Sequence, residues 1–140
     1  MSYNVLIVDD SKSMRRVIMK TLQLSGFRVG EYVEASNGRE ALEQIEGKWI
    51  DLVLSDIHMP VMDGFEFIRL LRENEMYKNT PVIFVTTEAN EVRLNLLMAL
   101  GARGYIRKPF RPEEIGILLS KVMGESDDQT VGISPEGCDF

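Results

Sequence analysis

Apolar residues along this chain fall into short continuous runs that alternate with stretches of helical spacing. Val5 to Val8 is unbroken and apolar, the pattern of a strand buried on both faces. Met14, Val17, Ile18 and Leu22 follow at i, i+3, i+4 and i+8, the stripe of an amphipathic helix that Ser11 or Ser13 can cap and Gly26 can stop. Val29 to Val33 is shorter and more polar and reads as an edge strand. Ser36-Asn37-Gly38 leads into a helix with Ala41, Leu42 and Ile45 that Gly47 stops. Ile50, Leu52, Val53 and Leu54 form a third strand that runs out at Asp56, and a helix extends from about Gly64 to Asn74. Pro81 opens the strand Val82 to Val85, which ends at Thr86-Thr87. A fourth helix passes through Val92, Leu96, Ala99 and Leu100 to Gly101. Tyr105-Ile106 is a short strand ending at Lys108-Pro109, and Pro112 suits the first turn of a last helix with Ile115, Leu118, Leu119 and Val122, which Gly124 ends.

This is βα five times over. The alternation predicts an α/β fold, a doubly wound (βα)5 parallel sheet with right-handed crossovers and helices on both faces. In such a sheet every strand C-terminus lies on one rim. That rim carries Asp9 and Asp10 after strand 1, Asp56 after strand 3, Thr86 after strand 4 and Lys108 after strand 5. Adjacent strands are only about 4.8 Å apart, so neighbouring strands would bring these side chains into one pocket.

Charge changes the picture in two places. The formal net charge is −6, and residues 122–140 supply five of it, with Glu125, Asp127, Asp128, Glu136 and Asp139 and no Lys or Arg. The expected organisation is a body over residues 1–123 and an acidic polar tail or linker stub over 124–140. No basic nucleic-acid surface is indicated. The single cysteine, Cys138, excludes an intramolecular disulfide and fits a reducing compartment. The N-terminus enters a strand without a signal peptide, and no apolar run is long enough to span a bilayer, so a cytoplasmic location is expected.

Three carboxylates on one rim need a counter-ion: either one becomes protonated or a cation binds. Hard oxygen ligands with room for water suit Mg2+. A carboxylate beside Mg2+ can act as nucleophile toward a phosphoryl group, and Thr86 and Lys108 are of the types needed to receive the phosphoryl oxygens.

With these residues in place, the sequence closely resembles the receiver domain of two-component response regulators, of the CheY-like single-domain type. The resemblance covers about residues 3–123. It rests on Val-Asp-Asp-Ser after strand 1, Asp-Ile-His-Met-Pro-Val-Met-Asp-Gly from Asp56 to Gly64, Val-Thr-Thr-Glu after strand 4 and Gly-Tyr-Ile-Arg-Lys-Pro-Phe at strand 5. Thr86 and Lys108 stand 30 and 52 residues past Asp56, as the family requires. The resemblance implies a flavodoxin-like sheet of order 2-1-3-4-5. It implies that Asp56 is the 4-aspartylphosphate acceptor and that Asp9, Asp10, Asp56 and the backbone carbonyl of His58 hold Mg2+. Lys108 would pair with the phosphoryl group, across a cis bond to Pro109. Thr86 would turn inward to it, and Tyr105 would change rotamer. Helix 4, strand 5 and helix 5 would be remodelled, with Leu94, Met98 and Arg107 on that output surface.

The implied function is a phosphorylation-activated switch, not an enzyme, although it would support its own autodephosphorylation. It would be charged by a histidine kinase and would act on a downstream protein such as a flagellar motor switch. A phosphatase is a further implied partner, and the chain would be a monomer or a phosphorylation-linked dimer. A phosphorelay intermediate or phosphate sink is the alternative within this class. A Mg2+-dependent phosphohydrolase is a different reading, disfavoured because Asp9 and Asp10 are adjacent rather than spaced as Asp-x-Asp and no cap domain is present. A flavodoxin-like FMN carrier is disfavoured because Asp9-Asp10 would repel the phosphate. His58, the only histidine, either stands near the phosphoryl group and tunes its hydrolysis or faces solvent, and Thr87 could restrict donor or water entry. Helix 4 carries two apolar stripes. Taking ~100° per residue, Val92, Leu96, Ala99 and Leu100 are expected to face the core, leaving Leu94, Leu97 and Met98 for a partner.

Overall fold

In a computed structural model that describes residues 2–124, five parallel strands form one sheet in the order β2-β1-β3-β4-β5. The strands are β1 (Tyr3–Val8), β2 (Val29–Ala35), β3 (Leu52–Ser55), β4 (Val82–Thr86) and β5 (Gly104–Arg107). The helices are α1 (Lys12–Ser25), α2 (Gly38–Gln44), α3 (Gly64–Glu73), α4 (Glu91–Ala99) and α5 (Pro112–Met123). The alternation of side chains along β1 divides the core in two. Val5 and Ile7, with Leu52, Leu54, Ile83 and Val85, pack against Ile18 and Leu22 of α1 and Ile115 and Leu119 of α5. Leu6 and Val8, with Val53 and Phe84, pack against Phe67, Ile68 and Leu71 of α3 and Leu94 and Leu97 of α4. Central strands covered on both faces need continuous apolar runs, and Val5–Val8 of β1, Leu52–Leu54 of β3 and Val82–Val85 of β4 supply them, with the buried polar residues Ser55 and Thr86 only at the C-terminal ends of β3 and β4.

The helix starts follow side-chain chemistry. Ser11, Asn37, Asp63 and Asn90 each accept a hydrogen bond from a backbone N–H of the first turn of α1, α2, α3 and α4. Gly26 ends α1 in the left-handed region at φ 87°, and Pro112 opens α5. β2 is an edge strand, as its polarity predicted, but it runs on to Ala35. There Asp9 N–H donates to the Ala35 carbonyl at 3.0 Å, and Val33 and Ala35 are buried. α2 stops at Gln44, one turn before Gly47, where φ is 76°. The Lys108–Pro109 peptide is cis.

The faces of α4 are the reverse of the expected ones. Leu94 and Leu97 are fully buried, whereas Val92, Leu96 and Ala99 are exposed and only Leu100 remains half-buried. Leu94 therefore offers no side chain to a partner, whereas Met98, Tyr105 and Arg107 do reach the surface. The helix has only nine residues, and apolar groups occupy both stripes, so spacing alone leaves its rotation open. Packing decides it: Leu94 and Leu97 fit the layer built by Phe84, Val82, Tyr77 and Ala102.

The tail expected over 124–140, with Cys138, lies outside the described residues except for Gly124, the C-cap of α5. Among the described residues no helix is long and apolar enough to cross a membrane.

The rotation of α4 has a direct thermodynamic consequence. Leu94→Ala is expected to cost about 2–5 kcal/mol in urea unfolding. Leu96→Ala should stay within about 0.5 kcal/mol of wild type. Equal losses would contradict the observed face.

Candidate functional site

Three backbone hydrogen bonds between neighbouring strand ends bring the rim residues into register. Asp9 N–H donates to Ala35, Asp56 N–H to the Val8 carbonyl at 2.9 Å and Lys108 N–H to the Thr86 carbonyl at 2.8 Å. Each residue is thus fixed one step past its strand, where the chain leaves the sheet and the side chain can face its neighbours.

Asp9 is buried. Its Oδ1 accepts from the Ser11 N–H at 2.9 Å and its Oδ2 from Lys108 Nζ at 3.1 Å. Its carbonyl accepts from Arg15 Nη1 at 2.7 Å, which anchors the turn into α1. Asp56 is arranged in the same way: Oδ1 accepts from its neighbour Ile57 N–H at 2.7 Å and Oδ2 from Lys108 Nζ at 3.2 Å. The Lys108 and Asp56 side chains are each 13% exposed, so the ammonium is held between two poorly solvated carboxylates. Asp10 is exposed, and carboxylate oxygens of Asp9, Asp10 and Asp56 lie within 4.8 Å of one another. Three carboxylates against one ammonium leave two negative charges uncompensated. An all-oxygen donor set with that deficit fits a hard divalent cation.

Thr86 is fully buried, and its Oγ1 accepts from the Glu88 N–H at 3.0 Å. A hydroxyl that accepts there keeps its own proton to donate. His58 is half-exposed, and its Nε2 lies 2.8 Å from Glu88 Oε1. The ring is neither simply solvent-facing nor isolated, because it is tied to the opposite loop. Thr87 is exposed. Glu88 closes the Val-Thr-Thr-Glu motif, and no period or spacing in the sequence marks its side chain for a role. Its carboxyl is held below the usual carboxylate range, first by the Asn90 backbone N–H and then by His58, with Arg93 adding a smaller effect. Interactions of the charged form favour the folded state above the unfolded pKa, and this contribution disappears as pH falls through the lower folded value.

The loop carrying Asp56 is tightly tied down. Gly64 N–H donates to the Ile57 carbonyl at 2.7 Å, and Met62 N–H donates to the Pro60 carbonyl at 2.6 Å around Val61, which has φ 69°. That γ-turn puts a β-branched residue in a conformation it rarely adopts, a local strain the surrounding contacts sustain. Gly64 is needed for close approach: a Cβ there would lie 2.8 Å from Phe84 Cε1 and 2.9 Å from both the Asp56 carbonyl oxygen and Ile57 Cα.

The model of the response regulator receiver domain family matches residues 5–120. The chain is 35% identical over 124 residues to the chemotaxis protein CheY1 of Helicobacter pylori, covering 88% of this chain and 98% of that one. It is similar to the solved structure of the chemotaxis response regulator CheY4 of Vibrio cholerae, with 40% identity, a TM-score of 0.73 and coverage of 89% and 98%. It is also similar to a chain of the CheX–CheY complex of Borrelia burgdorferi, solved with BeF3 and Mg2+, at 29% identity and a TM-score of 0.77, covering 86% of this chain and 89% of that one.

The packing at Gly64 yields a test of the acceptor loop. Gly64→Ala should destabilise the protein by about 1–3 kcal/mol in urea and shift the Asp56 and Ile57 amide resonances. Unchanged resonances would mean that the loop is not set by this contact.

Proposed function

This chain belongs to the response regulator receiver domain family, and on that premise we propose that it is a phosphorylation-activated signalling switch. It takes a phosphoryl group from a histidine kinase onto Asp56 and, in that state, changes its affinity for a protein target. The observation that carries this reading is the Lys108 ammonium held 3.1 and 3.2 Å from Asp9 and Asp56, beside a third carboxylate, at the C-terminal rim of a parallel sheet. Its named relatives in chemotaxis support a chemotactic pathway, and the CheX–CheY complex supports a protein as one kind of partner. The working unit is the body through residue 123, and its place is the cytoplasm.

The chemistry follows from the residues. A Mg2+ ion held by Asp9, Asp10, Asp56 and the His58 carbonyl would neutralise negative charge on the phosphoryl oxygens. An Asp56 carboxylate oxygen attacks phosphorus as the bond to the donor breaks, giving an acyl phosphate. Lys108 is already within hydrogen-bond distance of Asp56, so it needs little reorganisation to pair with the added charge. Asp9 keeps that ammonium in place. Thr86 donates its hydroxyl proton to a phosphoryl oxygen. Hydrolysis of the acyl phosphate by water on the same residues resets the switch.

Output is a population shift driven by these new charge-assisted contacts. Thr86 lies next to Arg107 across the β4–β5 register, and Phe84 next to Tyr105. Movement of Thr86 is therefore felt at the exposed residues Tyr105 and Arg107, and at Met98 on α4. Leu94, being buried, contributes by repacking under that surface rather than by touching a partner.

Intact mass after incubation with acetyl phosphate and Mg2+ tests this proposal. Wild type should gain one phosphoryl group, and chelation or Asp56→Asn should abolish the gain. A gain that persists in Asp56→Asn would overturn the assignment of the acceptor.

A further inference from the structure

Glu88 joins the loop after β4 to the acceptor loop through His58 and to α4 through Arg93. Its side chain is only 13% exposed. Oε1 faces His58 Nε2 at 2.8 Å and Arg93 Nε at 3.4 Å, and Oε2 accepts from the Asn90 N–H at 2.9 Å. The Arg93 guanidinium also lies over the ring of Phe65, 5.5 Å from its centroid, within cation–π range. Phe65 belongs to α3 and packs against the core layer under α4. The side chain of Arg93 thus ties α4 to two places directly, the β4–α4 loop through Glu88 and the start of α3 through Phe65, and Glu88, which also faces His58, carries the link on to the acceptor loop.

We propose that Arg93 is a positioning residue that latches α4 to the acceptor loop in the resting state, so that uptake of a phosphoryl group must release the latch. The proposal rests on the phospho-acceptor reading of Asp56. Its direction follows from Thr86, whose Oγ1 is engaged by the Glu88 N–H. A swing of Thr86 toward Asp56 has to break its bond from the Glu88 N–H, and the contacts of the Glu88 carboxylate with His58, Arg93 and the Asn90 N–H hold that loop where the bond forms. The contacts therefore belong to the arrangement that phosphorylation leaves behind. Arg93 and His58 are about half exposed, with side chains 50% and 52% accessible. Such an ion pair is weak, which suits a contact that has to open at every cycle.

The test compares wild type with Arg93→Gln, Glu88→Gln, the double variant and Arg93→Lys. Glutamine keeps the helix propensity of α4 nearly constant. The first readout is amide hydrogen exchange in the resting protein. Arg93→Gln should speed exchange at Val61, Met62 and Gly64, on the far side of the pocket, and not only within α4. Glu88→Gln should do the same, and the double variant should go no further than either single one. Arg93→Lys keeps the charge but loses the planar contact with Phe65, so it should recover part of the protection.

The second readout is affinity for beryllofluoride with Mg2+, a mimic of the acyl phosphate. Opening the latch should tighten it by about twofold to fivefold, the range open to an exposed ion pair. Faster exchange confined to α4 with unchanged affinity, or additive effects in the double variant, would overturn the latch. If wild type took up no beryllofluoride, the acceptor reading itself would fall, and the exchange pattern alone would still decide whether the latch exists.

Discussion

A single ammonium joins two carboxylates that the sheet would otherwise force together unpaired. Lys108 leaves β5 and reaches past β4 to Asp56 after β3 and Asp9 after β1. With strands about 4.8 Å apart, only a long side chain bridges that span, and the ammonium lies between two carboxylates with 2% and 13% of their side-chain surfaces exposed. The other features of the rim adapt to this arrangement. Ser11 and Ile57 supply backbone N–H groups to the remaining carboxylate oxygens, and Arg15 secures the Asp9 carbonyl.

The arrangement is stable without being satisfied. Asp10 adds a third carboxylate beside the two that Lys108 bridges, a donor set that could hold a metal ion. The loop over Asp56 is held by tight contacts rather than by regular structure: a γ-turn at Val61, a glycine with no room for a side chain at Gly64, and the bonds through Met62 to Gly38 at the start of α2. Binding residues at loop ends on a rigid sheet can respond to a ligand while the double core below stays fixed.

The sequence made the rim readable because a parallel sheet places all strand C-termini on one side. Asp9, Asp10, Asp56, Thr86 and Lys108 could be put on that rim from the order of elements alone. The strand order came from the resemblance of the motifs, not from periodicity. The rotation of α4 was not readable, since a nine-residue helix with leucines on both stripes satisfies either choice until Phe84 and Ala102 are in place. Glu88 and Arg93 escaped notice for a related reason. Their partners, His58 and Phe65, come from loops and helix starts about 30 residues earlier, and contacts of that kind leave no period in the sequence. The extension of β2 to Ala35 was hidden by Glu34, a charge at the edge that is answered by Arg15 at 2.8 Å.

We propose that the acyl phosphate forms on Asp56 and nowhere else on the rim. Borohydride reduction of the phosphorylated protein, followed by peptide mass mapping, addresses it most directly, because the reagent converts an aspartyl phosphate to homoserine and leaves free carboxylates untouched. Conversion is expected at position 56 alone, dependent on prior phosphorylation. Conversion at Asp9 or Asp10, or phosphate that survives reduction on a serine or threonine, would contradict it.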